Sequence, residues 1–165
     1  MANISTNPWS FVTADVAATV AITSIASTGY SVLVTTTAAH GLVINQQISL
    51  QGITGAGKVY NGGYEVLSIP STTTFLIPLV VPNLPASGAV GNVLTVAYPY
   101  KIRAEVMSWQ DATAAGTISL TDTNGNPIWK ATAPTTGNYN RTKPYWIDGL
   151  VINALPSGTL LITVN

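Results

Sequence analysis

Few side chains in this sequence are of a type that performs chemistry, and their spacing decides which chemistry is open to them. His40 is the only histidine. A Ser-His-Asp triad can be written around it, but no Gly-x-Ser-x-Gly elbow is there to carry the serine. Its setting, Ala38-Ala39-His40-Gly41-Leu42, reads instead as a turn. There His40 bonds back to the main chain and Gly41 supplies a permissive backbone. Glu65 and Glu105 are the carboxylates that a glycosidase would need as a pair. They fall in separate halves of the chain, on strand patterns whose other residues are structural.

Two motifs imitate ligand sites. Gly52-Ile53-Thr54-Gly55-Ala56-Gly57-Lys58 spells the start of a phosphate-binding loop. That mechanism needs Ser or Thr next and a helix N-terminus facing the phosphates. Val59 follows instead, then Asn61-Gly62-Gly63, so a hairpin loop is expected. Asp122-x-Asn124-x-Asn126 copies the first half of a calcium loop. Pro127 stands where the sharp-turn glycine belongs and Ala133 where a bidentate Glu is needed, so this too is expected to be a hairpin turn. With no cysteine there is no disulfide, thiolate chemistry or zinc ribbon. The expectation is a protein that is not an enzyme, without catalytic, metal or cofactor residues.

Aromatic side chains are the remaining lead. Tyr139, Tyr145 and Trp146 lie in or beside a polar loop over 134–144, with Asn138, Asn140 and Arg141. The group can stack sugars or fill a partner's groove. The alternative is that Trp146 anchors a core with Tyr145 at its rim. At the other end, Trp9 and Phe11 follow Pro8 in a stretch with no assignable strand partner. Residues 1–15 therefore read as an irregular arm whose two aromatics dock on a neighbour.

The elements that must position these residues are strands. Strand patterns fall at about 20–26, 30–37, 47–51, 64–69, 74–79 and 92–98, separated by turns at Gly29, His40-Gly41, 55–57 and Asn61-Gly62. Asn61-Gly62 is a strong hairpin signal. Pro78, Pro82 and Pro85 mark a loop that ends this unit. A second unit begins near Tyr98, with strands at 100–109, around Ile118-x-Leu120, at Ile128-Trp129, 145–155 and 159–164. The expected architecture is all-β: a docking arm (1–15), a small β-barrel (16–97) and a small β-sandwich or jelly-roll-like unit (98–165).

Composition sets the outer bounds. Of 165 residues only 7% are charged, six basic and six acidic, where an average soluble domain has roughly 25%. A phosphate-backbone binder needs clustered Lys and Arg, so nucleic acid is not an expected partner. At 47% hydrophobic content the chain is not disordered. Its 23 threonines, many beside Val and Ile, suit strands. A neutral surface offers a free monomer little colloidal repulsion, which fits a chain covered by neighbours in an assembly. The start lacks the basic region and long apolar core of a signal peptide. No 18-residue apolar run occurs, so no membrane partner is expected.

The segments His40-Gly41-Leu42, Asn61-Gly62-Gly63-Tyr64 and Thr72-Thr73-Thr74-Phe75 together resemble the small β-barrel repeat of tailed-phage virion structural proteins. That repeat is similar in pattern to the half-domain carrying the first catalytic cysteine of ubiquitin-activating enzymes. The likeness spans about forty residues and brings no cysteine with it. After His-Gly-Leu the phage pattern runs into Gly-Asp, where this chain has Asn45-Gln46-Gln47. The later order Lys101-Ile102-Arg103, Trp146-Ile147-Asp148-Gly149 and Ser157-Gly158-Thr159 resembles the C-terminal unit of phage virion proteins. The resemblance implies a capsid decoration (cement) protein in the virion, assembled in the host cytoplasm. It would be a homo-oligomer partnered by the major capsid protein or other virion proteins. A tail or baseplate component, or a receptor module that binds glycans, is the alternative.

Overall fold

Threonine, valine and isoleucine in alternation favour extended pairing, because branching at Cβ restricts helical rotamers and fits a pleated surface. In the computed structural model, which describes Ile4, residues 6–78 and residues 91–165, the outcome is nearly all strand. Strands hold 59% of the described residues and helical turns 6%. The strands are β1 (Trp9–Val12), β2 (Thr19–Ser27), β3 (Ser31–Thr36), β4 (Gln47–Gln51), β5 (Gly62–Glu65), β6 (Ser68–Ser71) and β7 (Thr74–Pro78). They continue with β8 (Asn92–Thr95), β9 (Tyr98–Ala112), β10 (Thr117–Thr121), β11 (Pro127–Thr132), β12 (Gly137–Arg141), β13 (Tyr145–Ala154) and β14 (Thr159–Val164). Two 3-10 turns lie at Thr13–Asp15 and Gly55–Tyr60.

The chain divides into two units. A mid-chain unit comprises Ala18–Thr95 with Thr123–Gly125, and a terminal unit comprises Met1–Ala17, Val96–Asp122 and Asn126–Asn165. The mid-chain unit is one antiparallel sheet in the order β5-β4-β8-β2-β3-β7-β6. Strand β2 pairs with β8 through Thr19–Ala21 and with β3 from Ile22 onward, with an irregularity between Ile22 and Ser24. The alternation of β3 (Val32 and Val34 inward) and of β7 (Phe75 and Ile77 inward) builds a core with Ile25, Ile48 and Leu50.

This sheet is not closed into the expected barrel. Strand 64–69 of the sequence reading is interrupted: Val66 and Leu67 belong to no strand, and β5 and β6 end up at opposite edges. The Val66 and Leu67 N–H groups donate to Gln46 O (3.0 Å) and Leu76 O (2.8 Å), just beyond the paired residues of β4–β5 and of β6–β7. The loop read from Pro78 through Pro82 and Pro85 lies, from residue 79 on, outside the described residues.

The terminal unit is organised on β9, in the order β1-β14-β9-β13-β10-β11, with β12 also on β9. Strand β13 pairs with β9 through Tyr145–Leu150 and then with β10, and the handover falls at an irregularity around Gly149, whose φ is +72°. A strand that changes sheet partner at a bulge turns a corner in sandwich-like packing. Trp109, Phe11, Met107, Ile147, Leu160 and Ile162 form the core beneath it.

The docking arm is corrected. Trp9 to Val12 form β1, in register with Ile162 to Thr159 of β14. Phe11 is fully buried and Trp9 nearly so, with its ring 4.5 Å from that of Tyr98. Both residues fill the terminal unit's own core, so neither is available to a neighbour. Two aromatics two residues apart on a strand share one face, and here that face is inward.

Candidate functional site

The residues singled out for chemistry are drawn into turns. The Leu42 N–H donates to His40 Nδ1 (3.0 Å), which fixes that nitrogen as the acceptor. Nε2 therefore carries the proton and faces two carbonyls, Ser71 O (3.2 Å) and Thr74 O (3.4 Å). The imidazole also meets Phe75 edge-on at 5.3 Å. Gly41, at φ +62°, lets the chain reverse beside it. The ring thus ties the 38–42 turn to the β6–β7 hairpin.

Asn61 clamps in a similar way. Its Oδ1 accepts from Ile53 N (2.9 Å) and its Nδ2 donates to Ile53 O (2.8 Å), closing the loop from 53 to 61 much as a strand partner would. Gly62 follows at φ +149° and opens β5. Within that loop the segment resembling a phosphate-binding motif is a 3-10 turn, Gly55–Tyr60, where a hairpin loop was expected. The Asp122 carboxylate is capped by Asn126, which donates its backbone N–H to Oδ1 (2.8 Å) and its Nδ2 to Oδ2 (2.7 Å), so it is built as a turn. Among the described residues no three His, Asp or Glu side chains gather as a metal site.

Glu65 and Glu105 lie in different units. Glu65 accepts from Gln47 Nε2 (3.2 Å), and Glu105 is ion-paired to Arg103 Nε (3.1 Å). Glu105 Oε1 is shielded from solvent and receives no directed hydrogen bond from the described residues, so the contact with Arg103 is one of charge. The Tyr60 hydroxyl is buried in the mid-chain core with no hydrogen-bond partner among the described residues. Burial raises its pKa above 10.0; burial and then Tyr60's proximity raise that of Tyr64.

The aromatic group around 138–146 separates into three settings. Residues 137–141, expected as part of a polar loop, form β12 against β9. Tyr139 stands opposite Trp109, with ring centroids 6.1 Å apart, and its hydroxyl donates to Thr135 O (2.6 Å). It is a strut of the core. Arg141 and Tyr145 stand opposite the buried Met107 and Ala104, and the guanidinium lies 4.9 Å from the Tyr145 ring. Trp146 points the other way. It is paired with Arg103, while its neighbour Ile147 is paired with Ile102 and wholly buried. Trp146 is 63% exposed, and the reading of it as a core anchor is corrected: Trp109 holds that place, with Nε1 donating to Ser157 O (2.8 Å).

On this outward face Lys101 and Asp148 form the next register pair. The Lys101 ammonium lies 5.5 Å from the Trp146 ring, within cation–π range. Arg103 with its Glu105 partner completes the surround. A second exposed feature belongs to the mid-chain unit. The turn 43–46 presents Val43 (63% exposed) and Ile44 (56%), with Asn45 at φ +66°. Asn45 N donates to Val66 O (2.8 Å), which sets the turn beside exposed Leu67. Trp146 belongs to the aromatic group that the sequence pointed to; the Val43–Ile44 turn was missed because its signal is exposure of apolar residues, which a single sequence does not show.

No protein-family model matches the chain, and neither curated proteins nor solved structures yield a match.

Proposed function

We propose that this is a non-enzymatic structural protein of a tailed-phage virion, a capsid decoration protein that stabilises the shell through protein–protein contacts. Its partners are the major capsid protein, adjoining virion proteins and other copies of itself. The observation that carries the reading is the Val43–Ile44 turn with Leu67. Apolar side chains stand in solvent on a backbone fixed by hydrogen bonds to Val66 and Gln46, inside the segment that resembles phage virion proteins. Exposed apolar groups held in one geometry suit burial against a partner. The conversion of His40, Asn61 and Asp122 into turn clamps supports a scaffold reading over a catalytic one.

The test is incorporation. Val43→Asp combined with Ile44→Asp places two charges where the reading needs apolar contact, on side chains that add little to the fold. The variant is expected to melt with the parent chain and fail to join particles. Incorporation at the parent level would overturn the docking role of this turn. A tail or baseplate position is the second reading, separated from the first by copy number per particle.

A further inference from the structure

We propose that the outward face of the β9–β13 pair binds a neutral glycan, with Trp146 as the platform on which a sugar ring stacks. This goes beyond the virion reading and holds wherever in a particle the protein sits. Strand register places Trp146 beside Arg103 and Asp148 beside Lys101, all on the face opposite buried Ile102 and Ile147. The result is one large exposed aromatic set among polar side-chain ends. A pyranose has one apolar C–H face and a rim of hydroxyls, which matches an indole ringed by donors and acceptors.

Charge selects the class of ligand. Arg103 is ion-paired to Glu105 at 3.1 Å, and Lys101 stands opposite Asp148, so cations and carboxylates on the face balance. An anionic ligand would meet Asp148 and Glu105 without a net cationic field to compensate them. A nucleic-acid backbone is disfavoured for the same reason. A protein partner's anchor is normally enclosed by apolar contacts that exclude water. Trp146 is surrounded by charged groups instead, and a protein docking there would have to desolvate them. Hydroxyls can bond to such groups without stripping them of charge, and the Arg103–Glu105 pair runs through Nε, so the terminal guanidinium N–H donors are not spent on it.

The experiment is calorimetric titration of the full chain with cellohexaose, maltohexaose and chitohexaose, and with trigalacturonic acid as the anionic counterpart. At least one neutral oligosaccharide is expected to bind, with affinity unchanged in about 1 M NaCl. Trp146→Ala is expected to weaken that binding about tenfold or more without shifting the melting curve, and Trp146→Tyr to keep most of it. Tyr145→Ala, on the opposite face, should leave it unchanged. The proposal is overturned if none of the three neutral probes binds at about 10 mM. It is equally overturned if only trigalacturonic acid binds, if Trp146→Ala binds as the parent does, or if sedimentation shows a dimer of the parent chain that Trp146→Ala dissociates.

Discussion

His40 holds two turns together with one ring, so its removal is expected to cost stability and nothing else. His40→Ala leaves the Leu42 N–H and the carbonyls of Ser71 and Thr74 without their partner. The cost should be about 1–3 kcal/mol, read as a lower midpoint in urea. Loss of a hydrolytic activity with an unchanged midpoint would contradict the clamp. Tyr60 gives the opposite expectation, since its hydroxyl is buried with no partner among the described residues. Tyr60→Phe should be neutral or stabilising by up to about 1 kcal/mol. The raised pKa values of Tyr60 and Tyr64 also fix a direction with pH. Above the unfolded tyrosine pKa near 10.0 the unfolded chain has released protons that the folded chain retains. Stability is therefore full below that pH and falls as pH rises, and Tyr60→Phe should blunt the fall. At this scale the bonding of His40 back to the main chain was legible as local chemistry, whereas the Asn61-Gly62 hairpin did not form: Gly62 opens β5 and the Asn61 side chain closes the loop on Ile53 instead. The orientation of Trp146 was not legible. Consecutive strand residues face opposite ways, and choosing between Tyr145 and Trp146 needs the register with β9.

Among the elements, β1 changes the account most. Phe11 is fully buried and Trp9 nearly so, and the strand lies along β14. Phe11→Ala should cost about 3–5 kcal/mol through the cavity it leaves. Deleting residues 1–12 should lower the melting temperature of the terminal unit clearly. A truncated chain that melts with the full-length protein would mean that β1 is dispensable. The strand's alternation, Trp-Ser-Phe-Val, was present in the sequence, but four residues beside a proline carry little weight without a visible partner. Strand β12 was hidden for another reason. Gly-Asn-Tyr-Asn-Arg contains no β-branched residue, and it is strand because β9 offers it an edge. Strand β4 was readable because Ile48 and Leu50 alternate with polar neighbours, and β3 and β7 because each is a short run rich in Val, Leu, Ile and Phe next to Ser or Thr. In the mid-chain sheet the break between β5 and β6 falls at Val66 and Leu67, which belong to no strand although their N–H groups are bonded to Gln46 and Leu76. No residue-type signal marks that.

For the whole molecule, the all-β class follows from composition and alternation, and circular dichroism should show strand with little helix. A helical content above about one-fifth would contradict it. What the protein is for rests on the virion proposal, which low charge, the apolar Val43–Ile44 turn and the resemblance over residues 37–75 support together. Quantitative mass spectrometry of purified tailed-phage particles, from a host that carries this sequence as a phage gene, tests it most directly. The account predicts the chain in mature particles, in proportion to the major capsid protein. Its absence from particles, with the folded protein abundant in the lysate, would contradict the account.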